Sequence, residues 1–469
     1  MSERFDVAII GAGPAGLAAA GVLGQAGCSV TLLDEQAEPG GQIYRGIGSA
    51  SGPRKSVLGA DYAAGASLLP SLAHDSVTHI AGATVWEVTP ERDIYYSQAG
   101  KASGLKAEHV LVATGATERP MPFPGWTLPG VMTAGAGQIL LKTAGMLPPS
   151  PCVLAGSGPL LFLIAAQYLA AGFKIDAIVE TTPRGNLAKA LPHLPGALLN
   201  NKYLRKGLAM LASLRKAGIP HYKASTSLVA EGDGQVEALK FTSGGKPHRL
   251  ACASLLIHNG VVPNVQISRS LNLDHAWDSL QHCWHPVTDA SGATSLAGFR
   301  VAGDGGGIAG AEAAAHGGRL AALAILEDLG KITGGERQAR SSDDSAALKW
   351  HGRARPFLDA LYAPAREFLE PADSTIVCRC EEVTAGKIRE FVDLGCLGPN
   401  QAKSFGRAGM GPCQGRYCGL TVSSVIAAKL GKEMDEVGYY RIRPPLKPIT
   451  LRELASMDLD DDADERPAA

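Results

Sequence analysis

The 469-residue chain has no surplus of charge: 44 Lys and Arg stand against 45 Asp and Glu. That balance gives neither the basic footprint of a nucleic-acid binder nor a polybasic patch for an anionic membrane. It also lacks an uninterrupted apolar run of about 20 residues, the length a membrane span needs. The nearest candidate, residues 152–173, is broken by Gly156-Ser157-Gly158-Pro159, which predicts a buried strand, a turn and a helix. No charged and apolar leader pattern precedes the first strand-like run at Phe5. With nine cysteines, an odd number, this sets the expectation of a reducing, cytoplasmic setting. No Ser/His/Asp order, H-E-x-x-H or P-loop pattern occurs. No Cys-x-x-Cys pair occurs either, and the one Cys-x4-Cys lies near the end of the chain, which argues against thiol–disulfide exchange.

What is present is a globular composition, 45% hydrophobic with 57 glycines, on a chain long enough for two to four domains. Residues 5–36 read as strand, glycine turn, helix and strand. Gly11, Gly13 and Gly16 form a G-x-G-x-x-G turn, with Pro14 and Ala15 opening the helix. The first glycine makes the turn, the second lets backbone approach a pyrophosphate, and the third packs helix on sheet. The helix N-terminus then faces the phosphates. Asp34, 18 residues after Gly16, is placed to hold the adenosine ribose, with Glu35 beside it. A carboxylate there disfavours a 2'-phosphate.

Three further stretches follow in order. Gly40-Gly41-Gln42, with Arg45, forms a loop whose backbone can lie close to a ligand. Residues 110–125 are a buried strand ending in Thr114-Gly115, with a Pro-rich exit. Near residue 300 a strand runs into Gly303-Asp304 and a helix. Asp304 could accept hydrogen bonds from a ribityl chain, or serve only as a helix N-cap. The next helix can aim its positive end at the pyrimidine side of a flavin.

Together these pieces resemble the glutathione-reductase-like flavoproteins with two dinucleotide-binding domains, over about residues 5–326. The resemblance implies FAD, with the diphosphate at Gly13–Gly16, the ribose at Asp34 and the ribityl chain at Asp304. It also implies backbone near Val85 beside the adenine. Residues 151–180 repeat the strand, turn, helix and strand, with Gly156, Gly158 and a terminal Glu180, but Leu161 fills the third glycine position. NAD, another adenine nucleotide such as ATP, or nothing could sit there. Residues 255–264 resemble the strand by which such chains return to the flavin domain.

Residues 331–373 are polar and Gly/Ser-rich at first, which predicts a linker, followed by a short amphipathic helix broken by prolines. Beyond it, Cys378-x-Cys380 and Cys413-x4-Cys418 supply four soft ligands suited to zinc or an iron–sulfur centre. The other five cysteines are scattered and read as small buried hydrophobes. Gly409, Gly411, Gly415 and Gly419 could aim N–H groups at sulfur, and Arg379, Arg407 and Arg416 could place positive charge nearby. Spacing alone leaves the metal open. The stretch 374–430 is, however, similar to the small helical [2Fe-2S] domain of bacterioferritin-associated ferredoxin, and all four ligand positions match. Residues 431–469 read as an extended tail with an acidic, disordered end.

The resulting expectation is an α/β fold. Its FAD domain covers 1–148 and 255–330, its second Rossmann-like domain 149–254, and its [2Fe-2S] domain 374–430. The whole chain resembles the FAD- and cluster-bearing subunit of heteromeric amine dehydrogenases. That group includes opine (octopine/nopaline) oxidases, hydroxyproline and proline dehydrogenases, hydrogen cyanide synthase and the alpha chain of sarcosine oxidase. The resemblance implies a separate FAD-containing beta subunit that oxidises a secondary amine, in some members a small third subunit, and in some FMN at the subunit interface. The alternative from the residues is a self-contained NADH-dependent reductase.

Overall fold

The computed structural model describes residues 3–457; the acidic end, 458–469, lies outside the described residues. The first strands are β1 (Glu3–Ile10), β2 (Val30–Asp34), β3 (Val77–Ala81), β4 (Thr84–Val88), β5 (Asp93–Gln98) and β6 (Lys101–Val112). They form one sheet in the order β3-β2-β1-β6-β5-β4, and Phe299–Val301 adds in parallel to β6. β1 pairs in parallel with β2 and β6, and Val7 to Ile10 are all buried. A strand buried on both faces reads as a continuous apolar run, which is why Val7-Ala8-Ile9-Ile10 shows no polar alternation.

Alternate residues of β1 serve two different cores. Val7 and Ile9 pack with the helices Pro14–Gln25 and Ala311–Asp328. Ala8 and Ile10 face a core that also contains Val377, Ile388 and Val422 of the cysteine-bearing region.

Ten more strands follow: β7 (Ala116–Glu118), β8 (Val131–Thr133), β9 (Cys152–Ser157), β10 (Ala177–Glu180), β11 (His221–Tyr222), β12 (Thr226–Glu231), β13 (Ala238–Ser243), β14 (Lys246–Ala251), β15 (Ser254–Asn259) and β16 (Val261–Pro263). The second sheet is parallel, in the order β11-β10-β9-β15-β8, and β12–β14 form an antiparallel sheet beside it. This shifts the expected domain edges. β8 and the helix Ala134–Ala144, counted by sequence with the FAD domain, belong to the second sheet, as does β15. The chain returns to the first unit only at β16, which pairs antiparallel with β7.

The expected linker is also different. Gly334–Gly352 is a 19-residue helix opened by a capping box between Thr333 and Glu336. It lies on Ala311–Asp328 through Arg337–Glu327 at 2.8 Å and His316–Asp344 at 2.6 Å. Its polar composition is the solvated face of a capped helix, and a neighbouring helix supplies its partners. The short helix expected next is two, Arg355–Leu361 and Arg366–Leu369, parted at Pro364. The cysteine region itself carries a small hairpin, Ile376–Cys378 with Val383–Thr384, and the helices Ala385–Asp393, Pro399–Gly406 and Gly419–Leu430.

Candidate functional site

The first glycine turn is built by close backbone approach. A Cβ on Gly11 would stand 2.4 Å from the Ala113 carbonyl oxygen, and one on Gly16 only 1.9 Å from that of Gly11. Gly11 also has φ +110°, which favours glycine. Pro14 occupies the first turn of the helix Pro14–Gln25, with Gly13 as its N-cap and Ala15 buried behind it. At the end of β2 both Asp34 oxygens accept backbone N–H groups, from Ala12 at 2.6 Å and from Gln36 at 2.8 Å. The carboxylate is thus locked under the turn, with remaining lone pairs for a ribose. Glu35, the next residue, is ion-paired with Lys447, on which Asp34 also acts.

The Gly40–Arg45 loop folds onto the same turn. Gly40 N–H donates to Ala12 O at 2.8 Å, and a Cβ on Gly41 would lie 2.8 Å from Gly13 Cα. Arg45 bonds Gln42 Oε1 at 3.1 Å, Gly41 O at 3.3 Å and the Gln36 side chain. Lys142, from the helix Ala134–Ala144 of the second sheet, donates from Nζ to Gln42 O at 3.0 Å. It is 2% exposed, and burial, aided by Arg45, lowers its ammonium to about 7. Burial also lowers Arg45, against the pull of Asp34. Sequence reasoning passed over Lys142, because its partner Gln42 lies 100 residues away and nothing in its own stretch marks it off from a solvated lysine.

Thr114 and Gly115 meet the returning chain. Asn264 N–H donates to Gly115 O at 2.9 Å, and Thr114 Oγ1 to Asn264 O at 3.4 Å. Gly305, two residues after Gly303, lies against both. Asp304 is committed on one oxygen: Oδ1 accepts from Ala309 and Gly310 N–H, each at 2.8 Å, just before the helix Ala311–Asp328. It therefore caps this loop, and its second oxygen remains for a ribityl hydroxyl. Val85 lies on β4 at a bulge in its pairing with β5. Two adjacent cations, bare backbone at Gly11–Gly16 and a ribose-height carboxylate fit a dinucleotide diphosphate and its ribose.

The second fold is less open. Gly156 and Gly158 have φ of +134° and +117°, as the turn requires. Leu161 is fully buried where the first fold holds Gly16, so this helix cannot approach its turn as closely. Glu180 accepts a bond from His221 Nε2 at 2.9 Å. The buried His258 packs beside Gly158 and is held by the half-buried Glu118 at 2.7 Å, a pair that sequence reasoning did not single out.

The four cysteines are gathered at one end of the C-terminal region in two thiol pairs. Cys378 falls to about 6, mainly through its bond with the Cys418 thiol and then through N–H groups of Gly409, Glu381 and Cys380, against burial. The same pairing and burial hold Cys418 up. Cys380 lies beside Cys413 and is raised chiefly by burial. Gly409 N–H points at Cys378 Sγ at 3.5 Å, as expected of a sulfur-directed donor. The three arginines are turned elsewhere: Arg379 over the Trp126 ring, Arg407 to Glu381 and Arg416 to the Leu446 carbonyl. Among the described residues, no group of three or more His, Cys, Asp or Glu is placed to hold a metal ion. Two thiol pairs with a backbone donor are soft ligands of the kind that hold zinc or an iron–sulfur centre.

The comparisons cover nearly the whole chain. Residues 5–318 match the family described as pyridine nucleotide-disulphide oxidoreductase, and residues 372–457 the sarcosine oxidase A3 domain. The A-type subunit of an opine oxidase from Rhizobium meliloti is 42% identical over 97% of this chain and 99% of that protein. The HcnB subunit of hydrogen cyanide synthase from Pseudomonas aeruginosa is 34% identical over 94% of this chain and 96% of its own. In fold, the chain is similar to L-proline dehydrogenase from P. horikoshii, with a TM-score of 0.72 at 20% identity over 97% of this chain and 80% of that one.

Proposed function

The chain belongs to the pyridine nucleotide-disulphide oxidoreductase family, alongside the A-type subunits of opine oxidases, and from that premise we propose that it is the electron-relaying subunit of a heteromeric flavin-dependent oxidase acting on an opine or related secondary amine. It is an oxidoreductase chain without the redox cysteine pair of the disulfide reductases. The amine is oxidised in a separate FAD-bearing beta subunit. The observation that carries this is the 42% identity to the opine oxidase relative over nearly the full length of both chains.

FAD bound at the first fold supplies two-electron chemistry, and a [2Fe-2S] centre on the four cysteines supplies one-electron chemistry. Asp34 holds the ribose. The amides of the Gly11–Gly16 turn, with Arg45 and Lys142 behind the Gly40–Gln42 loop, hold the diphosphate. Cys378, Cys380, Cys413 and Cys418 hold the cluster. The competing reading, a self-contained NADH reductase, is weakened because Glu180 is bonded to His221 and Leu161 fills the third glycine position. Among the described residues no helix is long and apolar enough to cross a membrane.

The test is anaerobic. The chain is purified alone and with the flavoprotein encoded beside it, then mixed with octopine, nopaline, proline, sarcosine, glycine or NADH. Bleaching of the flavin by an opine only in the paired preparation supports the proposal. Bleaching by NADH in the lone chain, or amine turnover by the lone chain, would sink it.

A further inference from the structure

The chain after the cysteine region runs back onto the first sheet. Tyr440, Ile442 and Leu446 are buried along this return, each at 5% exposure or less. Leu446 N–H donates to the Trp86 carbonyl at 2.7 Å. The Leu446 carbonyl accepts from Arg416 Nη2 at 3.1 Å, and Arg416 sits inside the loop from Cys413 to Cys418. The next residue, Lys447, is ion-paired with Glu35. The two anchor points on the first sheet are close in space: Ala83 N–H donates to Asp34 O at 2.8 Å, which ties the end of β2 to the start of β4.

These anchors fall on particular neighbours. Trp86 follows Val85 and Glu35 follows Asp34, so each fastening lies one residue from a position assigned to the adenosine half of FAD. Lys447 is drawn into partial burial there, which lowers its ammonium, and Asp34 is the charge that opposes the shift. A tail that packed only for stability would need its apolar anchors and no more. Here a costly ammonium is desolvated beside the two acids at the end of β2.

We propose that residues 439–447 form a strap across the adenosine end of the FAD site, with Lys447 as a positioning residue for that end and Arg416 joining the strap to the cysteine loop. The proposal rests on the first fold being the FAD site. FAD then leaves only after the Leu446–Trp86 and Lys447–Glu35 fastenings open. Arg416 then couples the cysteine loop to the strap directly, in addition to the core the two regions share and without any shared ligand.

The experiment follows FAD release from the full-length chain, read as recovery of flavin fluorescence on dilution into a scavenging apo-flavoprotein. Lys447→Ala should release FAD about tenfold faster, and Lys447→Arg should return it to about twice the wild-type rate or less. Arg416→Met should also accelerate release. Far-UV circular dichroism and the thermal midpoint of the nucleotide-free Lys447→Ala protein should match the wild type, which separates a role at the cofactor from a loss of fold. Release from Lys447→Ala at the wild-type rate, from a wild type that does hold FAD, overturns the strap alone. Equal release from Lys447→Ala and Lys447→Arg overturns the role of the charge. A wild-type rate in Arg416→Met overturns the link to the cysteine loop. A wild-type chain that holds no FAD overturns both the strap and the reading of the first fold.

Discussion

Replacing Lys142 by Met should change how stability depends on pH. The ammonium is 2% exposed, and burial lowers it from an ordinary 10.5 to about 7. Between those values the unfolded chain keeps the proton and the folded chain gives it up. The unfolded state then binds more protons, so stability rises with pH across that window. Integrating from about pH 7 to about pH 8.5, with 1.36 kcal/mol per unit, gives about 1.6 kcal/mol of added wild-type stability. The Met variant has no such group and lacks this rise.

Other groups also titrate, but they cancel in the difference. Burial holds the thiols of Cys152 and Cys283 at about 12 and that of Cys252 at about 11. Unfolded thiols lose protons that these keep, so they lower stability as pH rises, equally in both proteins. The assay is equilibrium urea unfolding of nucleotide-free wild type and Lys142→Met at several pH values, followed by circular dichroism. The wild type should gain on the variant by about 1.6 kcal/mol over that range. Parallel curves would show that Lys142 does not change its charge there, and the account of it as a strained buried cation would be wrong.

Other outcomes follow from the same geometry. Asp34→Ala leaves the Ala12 N–H without its 2.6 Å partner and should weaken FAD retention by about 1–3 kcal/mol, measured by flavin titration. Gly16→Ala places a Cβ 1.9 Å from the Gly11 carbonyl, so the turn must move, and the variant should purify without flavin although it contains one extra methyl group. Cys378→Ser should remove iron and sulfide while the flavin absorbance persists; unchanged iron content would exclude Cys378 as a ligand. Glu118→Ala strips partners from both His258 and Gly135 N–H and should cost about 2–3 kcal/mol in urea unfolding.

The parts of this fold that could be read in the sequence are those decided within about thirty residues. Gly16 is dictated by backbone sterics within the turn itself, against the Gly11 carbonyl, and Gly11 by its positive φ, so their meaning travels with the motif. The apolar run Val7–Ile10 signals a strand buried on both faces for the same local reason. What escaped is decided across long separations. Lys142 acts on Gln42, Arg416 on Leu446, and Lys447 on Glu35, and nothing local distinguishes those cations from solvated ones. The helix Gly334–Gly352 escaped for a related reason. Its residues are polar because one side meets water, and its partners Glu327 and His316 belong to another helix. The domain edges moved because β8 and β15 join the second sheet only through pairing with β9 and each other, which no period-two pattern announces.

The same distinction bears on how the cysteine region relates to the flavin fold. Read along the chain, the two are beads on a linker, and a linker lets each bead keep its own core. In the fold they share one. Ala8, Ile10 and Val110 of the first sheet lie in the same buried cluster as Cys378, Val422 and Cys418. The Trp126 indole donates to Ile376 O at 2.8 Å, and the Arg269 guanidinium stacks on both Trp284 and Tyr439, at 4.7 and 5.4 Å. The joint is therefore packed like an interior, which has few alternative arrangements. In the proposed relay, a rigid joint suits electron transfer better than a tether would, because the separation between the flavin site and the four cysteines is then fixed by side-chain packing and need not be searched for at every turnover.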